Sequence, residues 1–458
     1  MNQLENNMKV HFFGAAGTVT GSKYLIETND VKILIDCGLF QGLKELRLQN
    51  WQNLPVDASK IDFVVLTHGH LDHVGYLPLL VRQGFKGAIY ATAPTIEISK
   101  LILSDSAKIQ EEDAKRANHD KFTKHTPAKP LYSTKEAEAV FPYFKAKPIS
   151  MWHELMPNVS VRFQYNGHIL GATFVELKVN EKLFVFSGDI GRDNDPILRN
   201  PEKPEAADVL FIESTYGNRF HPDNMKNKLA DIINESIRRN GTIIIPSFAV
   251  ERTQLIMFLL WQLKNEKKIP SIPIYMDSPM GSHVLEIFEN NLDWHKLTLA
   301  ECYGMNQVIE VTHSYAETEL LLKDKTPKII IASSGMATGG RVLSYFEQYL
   351  GDASATILLA GYQGEGTRGR SLLDGAKEIK LRGKWFPVHA TVDMIEGLSA
   401  HADQNELIDW MSKLAQKPKQ VFVIHGETDA ALALSEKIKE IYQLNTIIPM
   451  LNQVVEIE

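Results

Sequence analysis

Short apolar runs recur along this chain, each ending at a small or polar residue, and longer amphipathic stretches lie between them. The runs are rich in Val, Ile, Leu and Phe, which favours buried β-strands. The predicted strands lie at residues 32–35, 63–66, 161–165, 183–188, 209–212, 329–332 and 356–360. The predicted helices include residues 251–263, 341–350 and 403–414. Strands that alternate with helices indicate α/β layers rather than an all-β sandwich.

Metal-binding residue types are concentrated in the loop that follows the strand at residues 63–66. His68, His70, Asp72 and His73 all occur in this one short loop. Two divalent cations close together each need several nitrogen or oxygen ligands, with room left for water, and such a loop can supply both. His68 and His70 can converge on one cation, while Asp72 and His73 are offset towards a second. The pattern predicts a metal site, although a lone histidine is more often part of a core.

Other polar residues follow predicted strands elsewhere in the chain. Asp36 follows the strand at residues 32–35, His168 comes soon after the strand at residues 161–165, and Asp189 directly follows residues 183–188. A single polar residue at a strand end is more often a turn or cap residue. The ordered series instead favours one site to which several strand ends contribute.

Asp36, residues 68–73, His168 and Asp189 together resemble the ordered metal-site motifs of the metallo-β-lactamase fold. The resemblance implies an αββα sandwich that binds two zinc ions (Zn2+). The implied ligands are His68, His70 and His168 on one zinc, Asp72 and His73 on the other, and Asp189 between them. Asp36 is then expected to orient the histidine loop through hydrogen bonds.

Three further segments resemble the additional motifs of the β-CASP subfamily of nucleases, within the same superfamily. They are residues 213–217, 398–403 and 423–427. The resemblance implies an α/β β-CASP cap domain inserted into the sandwich. It also implies that His425 completes the second zinc site and that Glu213 pairs with His401 at the scissile phosphate. In the family, a histidine at the position of His425 is associated with RNA-processing members, which favours RNA over DNA.

Hydrolysis of a phosphodiester needs an attacking hydroxide, neutralisation of the phosphoryl oxygens and a proton for the departing ribose oxygen. Two zinc ions can provide the first two, and Asp72 is expected to serve in catalysis as well as in metal binding. His401 is expected to donate the proton, with its pKa raised by the carboxylate of Glu213. The alternative is that His401 only caps the helix that begins near Asp403.

Two glycine-rich turns follow buried-looking strands, at residues 333–341 and 361–370. Backbone N–H groups, a helix N-terminus and arginine side chains can all contact an anion there. Both turns resemble β-CASP segments that line the RNA channel. The implied substrate contacts are Ser333, Ser334, Gly335, Arg368 and Arg370. Ordinary strand-to-helix turns are the alternative.

The metal motifs lie on both sides of a long insert, so the sandwich is expected to be discontinuous. Turn-forming and polar residues interrupt the strands at residues 201–204 and 384–387. The predicted metallo-β-lactamase domain is therefore residues 1–203 together with residues 388–458. Residues 204–387 form the predicted β-CASP domain, and the active site is expected in the cleft between the two.

Composition adds weaker constraints. A chain of 458 residues with 44% hydrophobic and 23% charged residues can bury a large core. Its net charge of −7 disfavours a protein that coats nucleic acid, but a channel needs only local positive potential. Cys37 and Cys302 are the only cysteines, which excludes a disulfide framework and favours a cytoplasmic location. No signal peptide or membrane-spanning run is recognised, so no membrane partner is expected.

The combined prediction is a zinc-dependent ribonuclease that acts on single-stranded RNA. Endonuclease action is favoured and 5′-exonuclease action is possible, because both occur in the family on the same catalytic residues. A DNA-directed nuclease and a small-molecule hydrolase of the same fold are alternatives. A non-catalytic RNA-binding protein is a third, although every expected metal position holds a competent ligand. A homodimer is a further expectation from the family.

Overall fold

The computed structural model of the protein describes residues 8–120, 125–222 and 224–457. Its strands are, in chain order, β1 (Met8–Phe12), β2 (Tyr24–Glu27), β3 (Lys32–Ile35), β4 (Phe63–Val65), β5 (Ala88–Ala91), β6 (Phe144–Ala146), β7 (His153–Met156), β8 (Val159–Tyr165), β9 (Thr173–Val179), β10 (Lys182–Phe186), β11 (Val209–Glu213), β12 (Ile243–Pro246), β13 (Ile274–Asp277), β14 (Glu310–Val311), β15 (Ile329–Ala332), β16 (Thr356–Ala360), β17 (Glu378–Leu381), β18 (Lys384–Pro387), β19 (Thr391–Ile395), β20 (Gln420–Ile424) and β21 (Val454–Ile457). Its α-helices are α1 (Lys44–Gln49), α2 (Leu71–Val74), α3 (Leu77–Arg82), α4 (Ala93–Asp120), α5 (Thr134–Glu138), α6 (Met225–Arg238), α7 (Arg252–Asn265), α8 (Pro279–Asn290), α9 (Leu299–Gln307), α10 (Tyr315–Lys323), α11 (Val342–Tyr349), α12 (Arg368–Leu373), α13 (Gln404–Trp410) and α14 (Thr428–Tyr442).

Two sheets pack face to face and form the first part of the fold. One has the strand order β21-β1-β2-β3-β4-β5-β6 and the other β20-β11-β10-β9-β8-β7. Their inner faces share a core that includes Phe12, Ile33, Phe163 and Phe211. The rings of Phe186 and Phe211 stack within it, with centroids 4.0 Å apart. Burial of each such aromatic or aliphatic side chain contributes roughly 1.5–3 kcal/mol to stability.

Helices cover the outer faces of both sheets. Leu77 and Leu80 of α3 and Leu103 of α4 pack with Leu34 and Val64 of the first sheet. On the other side, Leu407 and Trp410 of α13 and Leu434 of α14 pack with residues of β10, β11 and β20. The order of layers is therefore helix, sheet, sheet, helix. This arrangement confirms the predicted αββα sandwich.

The insert contains a third sheet, with the strand order β14-β13-β15-β12-β16-β19. Every pairing in it is parallel. Helix α7 and its neighbours pack on one face, and α11 and α12 pack on the other. Because both faces are covered, β12, β15 and β16 are continuous apolar runs that are buried along their whole length. The insert is the predicted α/β cap.

Strand pairing corrects both predicted domain limits, 203/204 and 387/388. β11 lies beyond residue 204 but pairs with β10 and β20 in the sandwich. β19 lies beyond residue 387 but pairs with β16 in the cap sheet. The cap therefore begins after Glu213 and ends after Ile395. The turn-forming residues at 384–387 belong to β18, in a surface hairpin with β17.

The described residues contain no candidate for a membrane-spanning helix. None of the helices there has both the length and the apolar content needed to cross a bilayer.

Candidate metal centre

Asp36, which follows β3, holds the histidine-rich loop in place. Its Oδ1 accepts a hydrogen bond from Thr67 N at 2.8 Å, and its Oδ2 accepts one from Thr67 Oγ1 at 2.8 Å. His73 Nδ1 lies 2.8 Å from the same Oδ2. The bond at Nδ1 leaves His73 Nε2 to face the cluster of ligand atoms. These contacts are the ones that a positioning role for Asp36 requires.

The backbone of the loop is also packed tightly against the turn after β3. Cys37 N donates to His73 O at 2.7 Å, and Ser22 N donates to Asp72 O at 2.9 Å. Gly38 lies so close that a Cβ at that position would be 1.6 Å from Asp72 O. A side chain at Gly38 would therefore displace the loop that carries Asp72 and His73.

The first group of ligand atoms comes from His68, His70, His168 and Asp189, whose side-chain donors all lie within 4.8 Å of one another. His70 Nδ1 is 3.1 Å from His68 Nε2 and 3.2 Å from His168 Nε2. Asp189 Oδ2 is 3.4 Å from His68 Nε2 and 3.5 Å from His168 Nε2. The loops that follow strands β4, β8 and β10 bring these side chains to one point.

The second group comes from Asp72, His73 and His425. The Nε2 atoms of His73 and His425 are 3.2 Å apart, and Asp72 Oδ2 is 3.6 Å from His425 Nε2. Asp189 faces this group with its other oxygen, because Oδ1 lies 3.3 Å from His73 Nε2. Asp189 thus stands between the two groups. His425 Nδ1 lies 3.4 Å from Asp189 Oδ1 and 3.1 Å from Thr215 Oγ1.

The charge states of these groups suit a cation. Burial lowers the pKa of His68 and His168 well below the usual value, and lowers that of His70 to about 4, so all three are neutral near pH 7. Burial opposes ionisation of Asp189, but His425 and His73 outweigh it and hold the pKa well below its usual range. Neutral imidazoles and an ionised carboxylate are the forms that bind divalent metals.

Two further observations test whether the residues fit a metal ion. Asp189 Oδ1 is buried and has no hydrogen-bond partner among the described residues. Burial lowers the pKa of His73, yet Asp189 and Asp36 raise it well above the usual value. The surroundings therefore favour a positively charged group, and Asp189 Oδ1 is a buried oxygen that a cation could bind. Nitrogen and oxygen donors in this number fit borderline cations such as zinc.

Glu213 and His401 form a pair beside the metal groups. His401 Nδ1 lies 3.1 Å from Glu213 Oε2 and 3.3 Å from Oε1. Burial lowers the pKa of His401, but the charge and hydrogen bond of Glu213 outweigh it and raise the pKa. Glu213 itself is fully buried and also accepts from the backbone N–H of Ile190, next to the ligand Asp189.

The helix cap near this pair is Asp403 and not His401. Asp403 accepts hydrogen bonds from the backbone N–H groups of Asn405 and Glu406, at the start of α13. The carboxyl group of Glu406 completes a capping box by bonding back to Asp403 N. The alternative that His401 serves only as a cap is therefore wrong.

A cleft of about 970 Å³ lies between the sandwich and the cap. The metal-site residues His70, Asp72, His168, Asp189 and His425 line it, together with His401. Ser333, Ser334 and Arg368, three of the predicted substrate contacts, line the cap side. Arg368 donates to Lys380 O, Ala337 O and Thr338 O, which braces the turn at residues 333–341.

Gly335 and Arg370 were predicted to contact substrate, and the structure does not place them on the lining of this cleft. Arg370 pairs with Asp374, at 3.0 Å, and lies 3.8 Å from Glu427. Gly335 packs against Phe248, where a Cβ would meet the ring at 2.6 Å. Phe248 itself lines the cleft, with its ring 6.1 Å from that of His70. Gly335 therefore leaves room for Phe248 rather than facing the cleft.

Several residues at or near the cleft were not predicted from the sequence. Arg47 and Trp51 line it from the α1 region, and Arg382 lines it from the turn between β17 and β18. Trp51 is 57% exposed, which is high for an aromatic residue of this size. His221 was also missed, although it contacts the backbone of His401. Each is an isolated residue in a loop or short helix, where no local pattern marks it.

Comparison with known families accounts for nearly the whole chain. Profiles described as "Metallo-beta-lactamase superfamily", "Beta-Casp domain" and "Zn-dependent metallo-hydrolase RNA specificity domain" match residues 16–230, 253–372 and 385–449, respectively.

Individual relatives match along most of their length. Over 437 residues the chain is 31% identical to ribonuclease TTHA0252 from Thermus thermophilus, covering 94% of this chain and 95% of that protein. Over 462 residues it is 27% identical to transcription termination factor FttA from Methanocaldococcus jannaschii, covering 97% and 70%. A crystal structure of a protein of unknown function from Enterococcus faecalis V583 has the same fold, with a TM-score of 0.52 at 14% identity, covering 98% of this chain and 100% of that one. These matches confirm the resemblance seen in the motifs, and the chain belongs to the β-CASP group of the metallo-β-lactamase superfamily.

Proposed function

We propose that this protein is a zinc-dependent ribonuclease that hydrolyses phosphodiester bonds in single-stranded RNA. The observation that carries the proposal is the Glu213–His401 pair, in which His401 lines the same cleft as residues of the two proposed ligand groups. A small-molecule hydrolase has no evident need for this pair or for the large cap. Support for RNA comes from a relative named as a ribonuclease and from the match to an RNA specificity domain.

The proposed metal ligands are His68, His70, Asp72, His73, His168, Asp189 and His425. Two zinc ions bound there would lower the pKa of a water molecule and offset the negative charge of the phosphate. The protein contributes the fixed geometry: Asp36 holds His73 by the ring nitrogen that faces away from the cluster, and Thr215 contacts Nδ1 of His425. Asp72, which lines the cleft, is proposed to act both as a ligand and in catalysis.

His401 is the proposed proton donor for the departing ribose oxygen. Because Nδ1 is engaged by Glu213, Nε2 is the nitrogen available to a substrate. Glu213 stabilises the imidazolium form, which is the form that can give up a proton. The same carboxylate accepts from Ile190 N, so it also fixes His401 relative to the neighbouring ligand Asp189.

The cap side of the cleft is proposed to hold the RNA backbone. Three of the five N–H groups of Arg368 bond to carbonyl oxygens, which leaves donors for a phosphate. Ser333 and Ser334 are partly exposed on the same side. Gly335 and Arg370 are assigned no direct contact, for the reasons given above. A cytoplasmic location and a homodimer remain predictions from the sequence.

The test is cleavage of matched RNA and DNA oligonucleotides, labelled separately at each end, by protein of measured zinc content. We expect internal RNA fragments, which indicate an endonuclease, and these should vanish with Asp72→Ala. Asp231→Ala, an exposed aspartate on α6, is the matched control and should cleave normally. Release of mononucleotides from the 5′ end would make the protein an exonuclease. Preferential cleavage of DNA, or no cleavage of RNA by zinc-loaded protein, would contradict the proposal.

A further inference from the structure

His221 contacts the backbone of the proposed proton donor. Its Nε2 lies 2.8 Å from His401 O. A carbonyl oxygen can only accept, so Nε2 carries the hydrogen and donates it. The backbone N–H of His221 donates to Asp403 Oδ2 at 3.0 Å. His221 is therefore bonded to the 401–403 segment at both of its ends, side chain and main chain.

Residues 400 and 402, on either side of His401, are bonded to the metal-binding domain. His168 Nδ1 lies 3.3 Å from Ala400 O, and Ala402 N donates to Ile190 O at 2.7 Å. The segment is thus tied to the ligand His168 on one side and to the residue after Asp189 on the other. His221 is the residue that holds the carbonyl group of His401 itself. Its bond fixes the peptide plane from which the His401 side chain projects.

His221 is suited to be a permanent donor rather than a titrating group. Burial and then the nearby charge of Arg192 lower its pKa to about 4, so the ring is neutral at physiological pH. Its ring packs on that of Tyr216, with centroids 4.8 Å apart. The two histidines therefore differ in pKa. That of His401 is raised beside Glu213, whereas that of His221 is lowered, so the ring of His221 stays neutral and keeps its Nε2 hydrogen bond to His401 O.

We infer that His221 is a positioning residue that fixes the proton-donor geometry of His401 through the His401 carbonyl. The inference rests on the proposed function, since it concerns the proton that the leaving oxygen requires. Proton transfer in a transition state needs donor and acceptor within hydrogen-bond reach, and small displacements reduce it steeply. Without His221 the carbonyl of His401 would lose its partner, and the peptide would turn to find another.

The test compares His221→Gln with His221→Met, two side chains of similar length that differ in the amide donor. Each variant is assayed on RNA and on bis(p-nitrophenyl) phosphate. The ribose oxygen of RNA needs a proton to leave, whereas nitrophenolate leaves as a stable anion. A defect in proton donation therefore slows the first substrate and spares the second. This selectivity separates positioning of His401 from general damage to the fold or the metal site.

For His221→Met we expect kcat on RNA to fall at least about tenfold, with KM and zinc content unchanged. Hydrolysis of bis(p-nitrophenyl) phosphate should stay within about twofold of the parent, and His221→Gln should recover most of the RNA activity. If His221→Met does not fold, His221→Asn replaces it, because its amide is too short to reach the carbonyl.

Three results would overturn the inference. Parental RNA cleavage by His221→Met would show that the bond has no catalytic consequence. Equal losses on both substrates, or loss of zinc, would assign His221 to the fold or the metal site. An unmutated protein that hydrolyses bis(p-nitrophenyl) phosphate but not RNA would refute the proposed function, and the inference with it. This third result needs no variant, so it is distinguishable from the other two.

Discussion

The two walls of the cleft are built differently. On the sandwich wall, the side chains of the two groups are mostly buried, and Asp36 and Thr67 contact His73 and His68 from behind. On the cap wall, the polar groups bond mainly within their own turn. Ser334 Oγ, for example, accepts from Thr338 N and Gly339 N. The sandwich wall therefore holds its side chains in fixed positions. The cap wall holds the shape of its turn and leaves partly exposed polar groups that a substrate could contact.

This difference predicts where each kind of defect will arise. Changes on the sandwich wall should affect metal content or kcat, because those side chains are the proposed metal ligands and proton donor. Changes on the cap wall should affect binding of RNA, because those groups are the proposed contacts to the RNA backbone.

Asp189→Asn should have the largest effect. The substitution keeps the shape but removes the charge that both ligand groups share through Oδ1 and Oδ2. We expect loss of most bound zinc and a fall in RNA cleavage of at least about 1000-fold, the scale seen when one member of a catalytic unit is removed. Metal analysis and kcat measure the result. Asp231→Asn on α6 is the matched control, and a zinc-replete, active Asp189→Asn protein would contradict the assignment.

Asp36→Asn should weaken zinc binding without preventing it. Asp36 lies behind the loop, where the carboxylate orients Thr67 and His73, and loss of such a partner costs about 10- to 100-fold in metal affinity. At saturating zinc, kcat should stay close to the parental value. Competition with a chelator measures the affinity. Asp62→Asn is the control, because Asp62 is exposed and accepts a hydrogen bond from Lys32 N at the far end of β3. Equal zinc affinities in the two variants would show that Asp36 does not position the loop.

Arg368→Ala and Arg370→Ala test the cap wall with the smallest expected effect. Arg368 lines the cleft, whereas Arg370 pairs with Asp374. Arg368→Ala should raise KM for RNA about 5- to 20-fold, with zinc content unchanged. The slope of the logarithm of the binding constant against the logarithm of the salt concentration should become shallower by about one. Arg370→Ala should change KM by less than about twofold. Equal KM values for RNA in the two variants, or loss of zinc from Arg368→Ala, would contradict the assignment of different roles to the two walls.

Many residues of the candidate metal centre could be predicted because they follow an apolar strand closely in sequence. A strand fixes the direction of the loop after it, so Asp36, His68 and Asp189 are placed by local structure. The family resemblance then supplied the distant partners, and the structure brings His425 to His73 across the whole insert. Local pattern and family motif together pointed to the residues that the structure brings together in the two groups.

The domain limits and part of the cap wall could not be predicted in the same way. Membership of a sheet depends on pairing with distant strands, and β11 joins the sandwich through β20, which lies beyond the insert. Arg368 and Arg370 differ because α12 begins at Arg368, where the sequence suggested an extended turn. Residues two apart in a helix point in nearly opposite directions, so only one of them faces the cleft.

The measurement that tests the central claim most directly is the activity of His401→Ala on two substrates. Removing the proposed proton donor should lower kcat on RNA by about 10²- to 10⁴-fold, while hydrolysis of bis(p-nitrophenyl) phosphate and zinc content stay near the parental values. His119→Ala, a strongly exposed histidine at the end of α4, is the control and should match the parent. Parental RNA cleavage by His401→Ala, or an equal loss on both substrates, would contradict the account.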